Sequence, residues 1–94
     1  MSNRIAVVGT GYVGLTTGAC LAHLGHQVVC GDVDEAKIAE LAAGRVPIVE
    51  ERLDELVAEG LATGRLSFVV GAAAAVVGAE FVYLSVPTPQ SVDG

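Results

Sequence analysis

Basic residues are scarce in this sequence: five Lys and Arg stand against eleven Asp and Glu, which leaves a net charge of −6. An acidic surface repels a phosphate backbone, so nucleic acid is not expected as a partner. Cysteine is scarcer still. Cys20 and Cys30 form neither a CxxC pair nor a metal-ligand spacing, and two free thiols suit an intracellular protein. Long apolar runs are missing too. No segment reaches the ~18 apolar residues of a membrane span. Ile5 to Val8 is cut off by Gly9, short of the ~7–15 apolar residues at the heart of a signal peptide. These absences predict a cytoplasmic protein with no membrane partner and no metal.

Apolar residues are plentiful. Hydrophobic side chains make up 52% of the 94 residues, and the mean hydropathy is +0.60. At most one domain fits this length, and a chain so short buries a limited fraction of its surface. So much apolar character in so small a chain suggests a piece of something larger, whose bare faces expect partners beyond Gly94.

The pattern alternates short apolar runs with helical spacings. Ile5 to Val8 is a continuous apolar run ended by glycine, as in a buried parallel strand. Tyr12 to Leu24 reads as a helix capped by Gly25, with Gly14, Gly18 and Ala22 on one face. Gln27 to Cys30 is a second strand, ending at Gly31-Asp32. A second helix is expected over about Asp34 to Ala43, with Asp34 as its N-cap. Val46-Pro47-Ile48 is a connector, and a third helix spans about Glu50 to Ala62. Leu66 to Val70 is a third strand, Gly71 to Gly78 an Ala-rich helix or turn, and Glu80 to Val86 a fourth strand. Such alternation implies an α/β fold with an open parallel sheet. Right-handed crossovers give strand order 3-2-1-4, a Rossmann-type doubly wound sheet truncated after its fourth strand. Strands 5 and 6, and the helices that cover the second face, are expected after Gly94.

The segment with chemical content is Gly9-Thr10-Gly11-Tyr12-Val13-Gly14, between the first strand and the first helix. Gly9 permits the tight turn, Gly11 lets a pyrophosphate approach the backbone, and Gly14 permits close helix packing. The N–H groups and positive dipole end of the helix face that pyrophosphate. In a chain with twelve glycines, the spacing alone is weak. It gains force because Asp32 lies 18 residues after Gly14 at the end of the second strand, close to the ~20 of a dinucleotide site. Asp32 reads either as the acceptor for adenosine ribose hydroxyls or as a helix-capping or turn residue. The acceptor role favours NAD: a 2′-phosphate ~4 Å from a carboxylate costs on the order of 4 kcal/mol at an effective dielectric near 20. Lys37 reads as a cofactor contact or a solvated lysine. Thr88, in Ser85-Val-Pro-Thr-Pro89, reads as a neighbour of the nicotinamide end or as part of a rigid turn. Cys20 is assigned to the core and Cys30 to the adenine side. His23 and His26 fall at the far end of the strands, and no cysteine has a paired base to make it a nucleophile.

Taken together, Arg4-Ile-Ala-Val-Val-Gly-Thr-Gly-Tyr-Val-Gly-Leu15, Gly18-Ala-Cys-Leu-Ala22, Leu24-Gly-His-Gln-Val-Val-Cys30, Asp32-Val-Asp-Glu-Ala-Lys-Ile38, Gly44-Arg-Val-Pro-Ile48 and Val86-Pro-Thr-Pro89 closely resemble the UDP-glucose/GDP-mannose dehydrogenase family, over nearly the whole chain. The resemblance implies oxidation of a sugar-nucleotide alcohol, such as that of UDP-glucose, to a carboxylate, with two NAD molecules reduced. It implies NAD contacts from Gly9, Gly11, Tyr12, Val13, Gly14, Asp32, Lys37 and Thr88. It places the catalytic residues and the sugar-nucleotide site in later segments, within a homo-oligomeric parent enzyme. One departure stands out: the family's Glu-Pro-Gly-Leu is here Glu50-Glu-Arg-Leu53, so the local turn or the start of the third helix is expected to differ. Two alternatives share the glycine spacing. A 6-phosphogluconate-type β-hydroxyacid dehydrogenase carries Met where this chain has Val13. A nucleotide-sensing regulatory module lacks the Pro-Ile-Val-Glu connector and the Val-Pro-Thr-Pro end.

Overall fold

A computed structural model of the chain describes residues 3–46 and 52–85. Within them the elements run β1 (Arg4–Val8), α1 (Tyr12–His23), β2 (Gln27–Asp32), α2 (Glu35–Ala42), α3 (Leu53–Thr63), β3 (Leu66–Val70), α4 (Ala72–Val76) and β4 (Phe81–Leu84). All four strands are parallel, in the order β3-β2-β1-β4. This is the expected order, and the elements stop within a few residues of their expected ends. Gly25 and Gly44, at φ +108 and +86, follow α1 and α2 in the left-handed conformation that ends a helix at no Cβ cost. Asp34 caps α2, its side chain accepting from the Lys37 amide at 3.0 Å.

Register decides which face each side chain takes. Val7 pairs with Cys30 and Cys30 with Phe68, so these line one face with Ile5, Val28 and Leu66 under α1, α2 and α3. Leu15, Leu41, Leu53 and Val57 close that core from the helices. The second face is not bare. Gly31 looks the other way, and α4 lies on it: a Cβ there would meet the Ala75 Cβ at 2.7 Å. The expectation that this face lacked a helix is corrected, because the crossover from β3 to β4 itself supplies a short one.

Both cysteine assignments are corrected. Cys20 is exposed and Cys30 is buried. Cys20 lies two residues, about 200° around the helix, from the buried Gly18, so α1 turns it to solvent. Cys30 packs beneath Gly18, where a Cβ would stand 2.7 Å from its sulfur, and so it is core and not a lining of any adenine site. Burial pushes its thiol up to about 12, which keeps it protonated and inert.

Residues Glu50 and Glu51, where the third helix was expected to start, lie outside the described residues. α3 starts at Leu53, and its N-cap Arg52 takes φ +74, a left-handed conformation. The family pattern puts Gly there. The backbone has kept the glycine-type turn although the residue has changed.

Candidate functional site

The C-terminal ends of β1, β2 and β4 meet at a crevice of about 300 Å³ lined by Gly9, Thr10, Gly11, Asp32, Lys37 and Ser85 among others. Strand order dictates this place. The chain winds from β1 out to β3 on one side and returns to β4 on the other side of β1, so the loops after β1 and β4 part and leave a gap. The Gly9 amide continues the sheet ladder to the Gly31 carbonyl at 2.8 Å, and the Ser85 amide does so to the Val8 carbonyl at 2.8 Å. Gly9 then turns at φ +103, which a side chain would resist.

The other two glycines divide their labour. A Cβ on Gly14 would fall 2.1 Å from the Gly9 carbonyl oxygen and 3.0 Å from the Ser85 side chain. Gly14 is therefore needed against the loop and the end of β4, while Gly18 makes the close approach of α1 to the sheet. A Cβ on Gly11 would meet nothing within 4 Å: the space there is open, as an approaching ligand requires. α1 begins with no side-chain cap and no acidic residue in its first turn. No acidic side chain of its own first turn offsets its positive end, which suits a phosphate there.

Asp32 reaches back to this loop. Its Oδ2 accepts from the Thr10 amide at 2.9 Å and the Thr10 hydroxyl at 2.7 Å, and its Oδ1 accepts from the Asp34 amide at 3.1 Å. Lys37 Nζ lies 3.9 Å from Oδ2. Partial burial pushes the Asp32 carboxyl up, but these hydrogen bonds and the Lys37 charge outweigh it, and it lies below the usual carboxylate value. The group is an anion at neutral pH. Asp34, not Asp32, caps α2; Asp32 does make the turn bond of its other reading, accepting from the Asp34 amide two residues on.

Beyond Lys37 a second cavity of about 370 Å³ is lined by Asp34, Ala36, Glu40, Arg45 and Val46. Arg45 there is held by Glu40 with a two-point bond of 2.7 and 3.1 Å. Each partner shifts the other: the Glu40 carboxyl is lowered and the Arg45 guanidinium raised, by their mutual hydrogen bond and charge.

Of the expected site residues, Gly9, Gly11, Asp32 and Lys37 line the crevice, and Gly14 packs against its loop. Tyr12 and Val13 are exposed at the start of α1. Thr88 lies outside the described residues. His23, at the end of α1, meets Glu59 of α3 at 3.1 Å, and His26 Nδ1 accepts from the Asn3 amide at 3.2 Å. Both are at the far end of the strands, as expected. Thr10 was missed. Its signal was faint: an uncharged residue between two glycines, tied to a partner 22 positions away.

The model of the UDP-glucose/GDP-mannose dehydrogenase family, NAD binding domain, matches residues 3–94. UDP-glucose 6-dehydrogenase of Rhizobium meliloti is 48% identical over 87 residues, 93% of this chain and 20% of the relative. GDP-mannose 6-dehydrogenase of Azotobacter vinelandii is 44% identical over 91 residues, 97% of this chain and 21% of that protein. A solved ternary complex of GDP-mannose dehydrogenase from Pseudomonas aeruginosa superposes with a TM-score of 0.89 at 38% identity, over 97% of this chain and 21% of that one. UDP-glucose dehydrogenase from Pyrobaculum islandicum gives 0.87 at 37% identity, covering 95% and 21%. The chain thus spans about a fifth of the length of these relatives. Among the described residues, no helix is long and apolar enough to cross a membrane.

Proposed function

The chain belongs to the UDP-glucose/GDP-mannose dehydrogenase family as its NAD-binding domain, and from that premise we propose that it holds the cofactor for oxidation of UDP-glucose to UDP-glucuronate. Support for UDP-glucose is the 48% identity to one UDP-glucose enzyme; two others stand at 44%, level with a GDP-mannose enzyme. We propose a homo-oligomeric, cytoplasmic parent enzyme, and residues 1–94 as the front part of its cofactor domain. No catalytic residue is assigned to this chain. The cofactor contacts proposed are Gly9, Gly11, Tyr12, Val13, Gly14, Asp32, Lys37 and Thr88.

The observation that carries the reading is the convergence of the glycine loop, the uncapped mouth of α1 and the Asp32 anion on one crevice. The amides of the first helical turn would bind the pyrophosphate. Asp32 would accept from the adenosine ribose, and Lys37 would lie beside that carboxylate. NAD, when bound, supplies the hydride acceptor; the residues here bind and orient it.

The test is calorimetric titration of the chain with NAD and with NADP. NAD should bind, weakly if only these strand ends contribute, and NADP at least tenfold more weakly. Equal or tighter NADP binding contradicts the role given to Asp32.

A further inference from the structure

We propose that Thr10 is the positioning residue for ribose recognition, clamping one oxygen of the Asp32 carboxylate so that the other keeps a fixed accepting position. This rests on the NAD reading of the crevice. Thr10 is 2% exposed, the one buried polar residue in the described core. It spends both its donors on a single atom: amide and hydroxyl reach Asp32 Oδ2 at 2.9 and 2.7 Å. A carboxylate oxygen offers two lone-pair positions, so Oδ2 is filled. Oδ1 receives the Asp34 amide at 3.1 Å and retains one position for a ribose hydroxyl.

Rotation matters because the terminal torsion of Asp is soft. The Thr10 amide ties Oδ2 and the Asp34 amide ties Oδ1 by a longer bond of 3.1 Å; the Thr10 hydroxyl adds the shortest tie of the three. Two donors from one buried residue, with the third on the opposite oxygen, fix position and plane together. The remaining charged neighbour, Lys37 at 3.9 Å, contributes attraction but little direction at that distance. The glycine loop and the ribose acceptor are therefore one unit. The residue between the first two glycines, which makes no contact with ligand in this scheme, sets the aim of the residue that does.

A double-mutant cycle tests this, with NAD affinity read by calorimetry. Thr10→Val keeps the branched shape and the amide but removes the hydroxyl. It should weaken NAD roughly tenfold to 150-fold, the range for one hydrogen bond to a charged group. Thr10→Ser should restore affinity to within about twofold. In an Asp32→Ala background, Thr10→Val should change NAD binding by less than about twofold, because Thr10 acts only through that carboxylate. Equal losses in both backgrounds would mean that Thr10 merely braces the loop, and would overturn the proposal. A second readout does not need the cofactor: the Asp32 carboxyl, titrated by carbon NMR, should shift upward in Thr10→Val and return in Thr10→Ser. An unmoved titration overturns the clamp even where NAD binding changes. Failure of the unsubstituted chain to bind NAD would instead overturn the cofactor reading, with the titration still deciding the clamp.

Discussion

Arg52 shows how a single residue can carry a conformation that its chemistry disfavours. At φ +74 it sits where a Cβ crowds the backbone, at a cost of ~1–2 kcal/mol for an ordinary residue. Its ion pair with Glu55 is long, 3.7 Å, and largely exposed, so it offsets little of that. Arg52→Gly should therefore stabilise the fold. The gain is reduced by the extra freedom glycine has in the unfolded chain, leaving about 0.5–1 kcal/mol. Thermal unfolding followed by circular dichroism should move up by a few degrees. A lower midpoint would show that the left-handed turn is not strained. Glu50 and Glu51 precede it outside the described residues, and the change from the family's Pro has no structural account here.

At the scale of elements, the seat of α1 on the sheet is set by small residues. Gly18 is pressed so close to β2 that a methyl group would lie 2.7 Å from the Cys30 sulfur, with Val28 and Val7 just behind. Gly18→Ala should cost ~1–3 kcal/mol, as overpacking does. Cys30→Ala alone loses a buried sulfur and is also destabilising. The two changes relieve one another, so the double variant should be less destabilised than the sum of the singles. Urea titrations of all four proteins measure this. Strict additivity would mean that α1 relaxes away from Cys30 and that the stripe of small residues does not fix the helix.

For the whole molecule, the notable surface is β4. It pairs with β1 along one edge, and no strand borders its other edge among the described residues. Phe81 is 58% exposed and Leu84 70%, with Val82 and Tyr83 also exposed. An apolar strand edge of this kind is a template for another chain. The 94-residue chain should self-associate as its concentration rises, and more so in salt, which screens a net charge of −6. Val82 and Leu84 share one face, by their pairing with Ala6 and Val8. Placing lysine at both should suppress the association. Sedimentation velocity across a wide concentration range is the check, and a monomer throughout would sink the prediction.

The local features were legible before any fold was known. Apolar runs, glycine stops and the Asp34 cap place strands and helices because each acts within a few residues. Alternation of strand and helix then leaves few sheet orders, and the glycine spacing with an acid one strand later marks the crevice. The orientation of Cys20 was also available, since Gly14, Gly18 and Ala22 define the inward face of α1 and Cys20 stands opposite. What the sequence could not specify was lateral: that Val7 lies beside Cys30, that α4 covers Gly31, and that Thr10 holds Asp32. Those depend on parallel register and on the depth at which helices settle, quantities fixed only when distant segments pack and exclude water. The chain therefore announced where a dinucleotide would lie, but which side chain aims the carboxylate at it was decided in three dimensions.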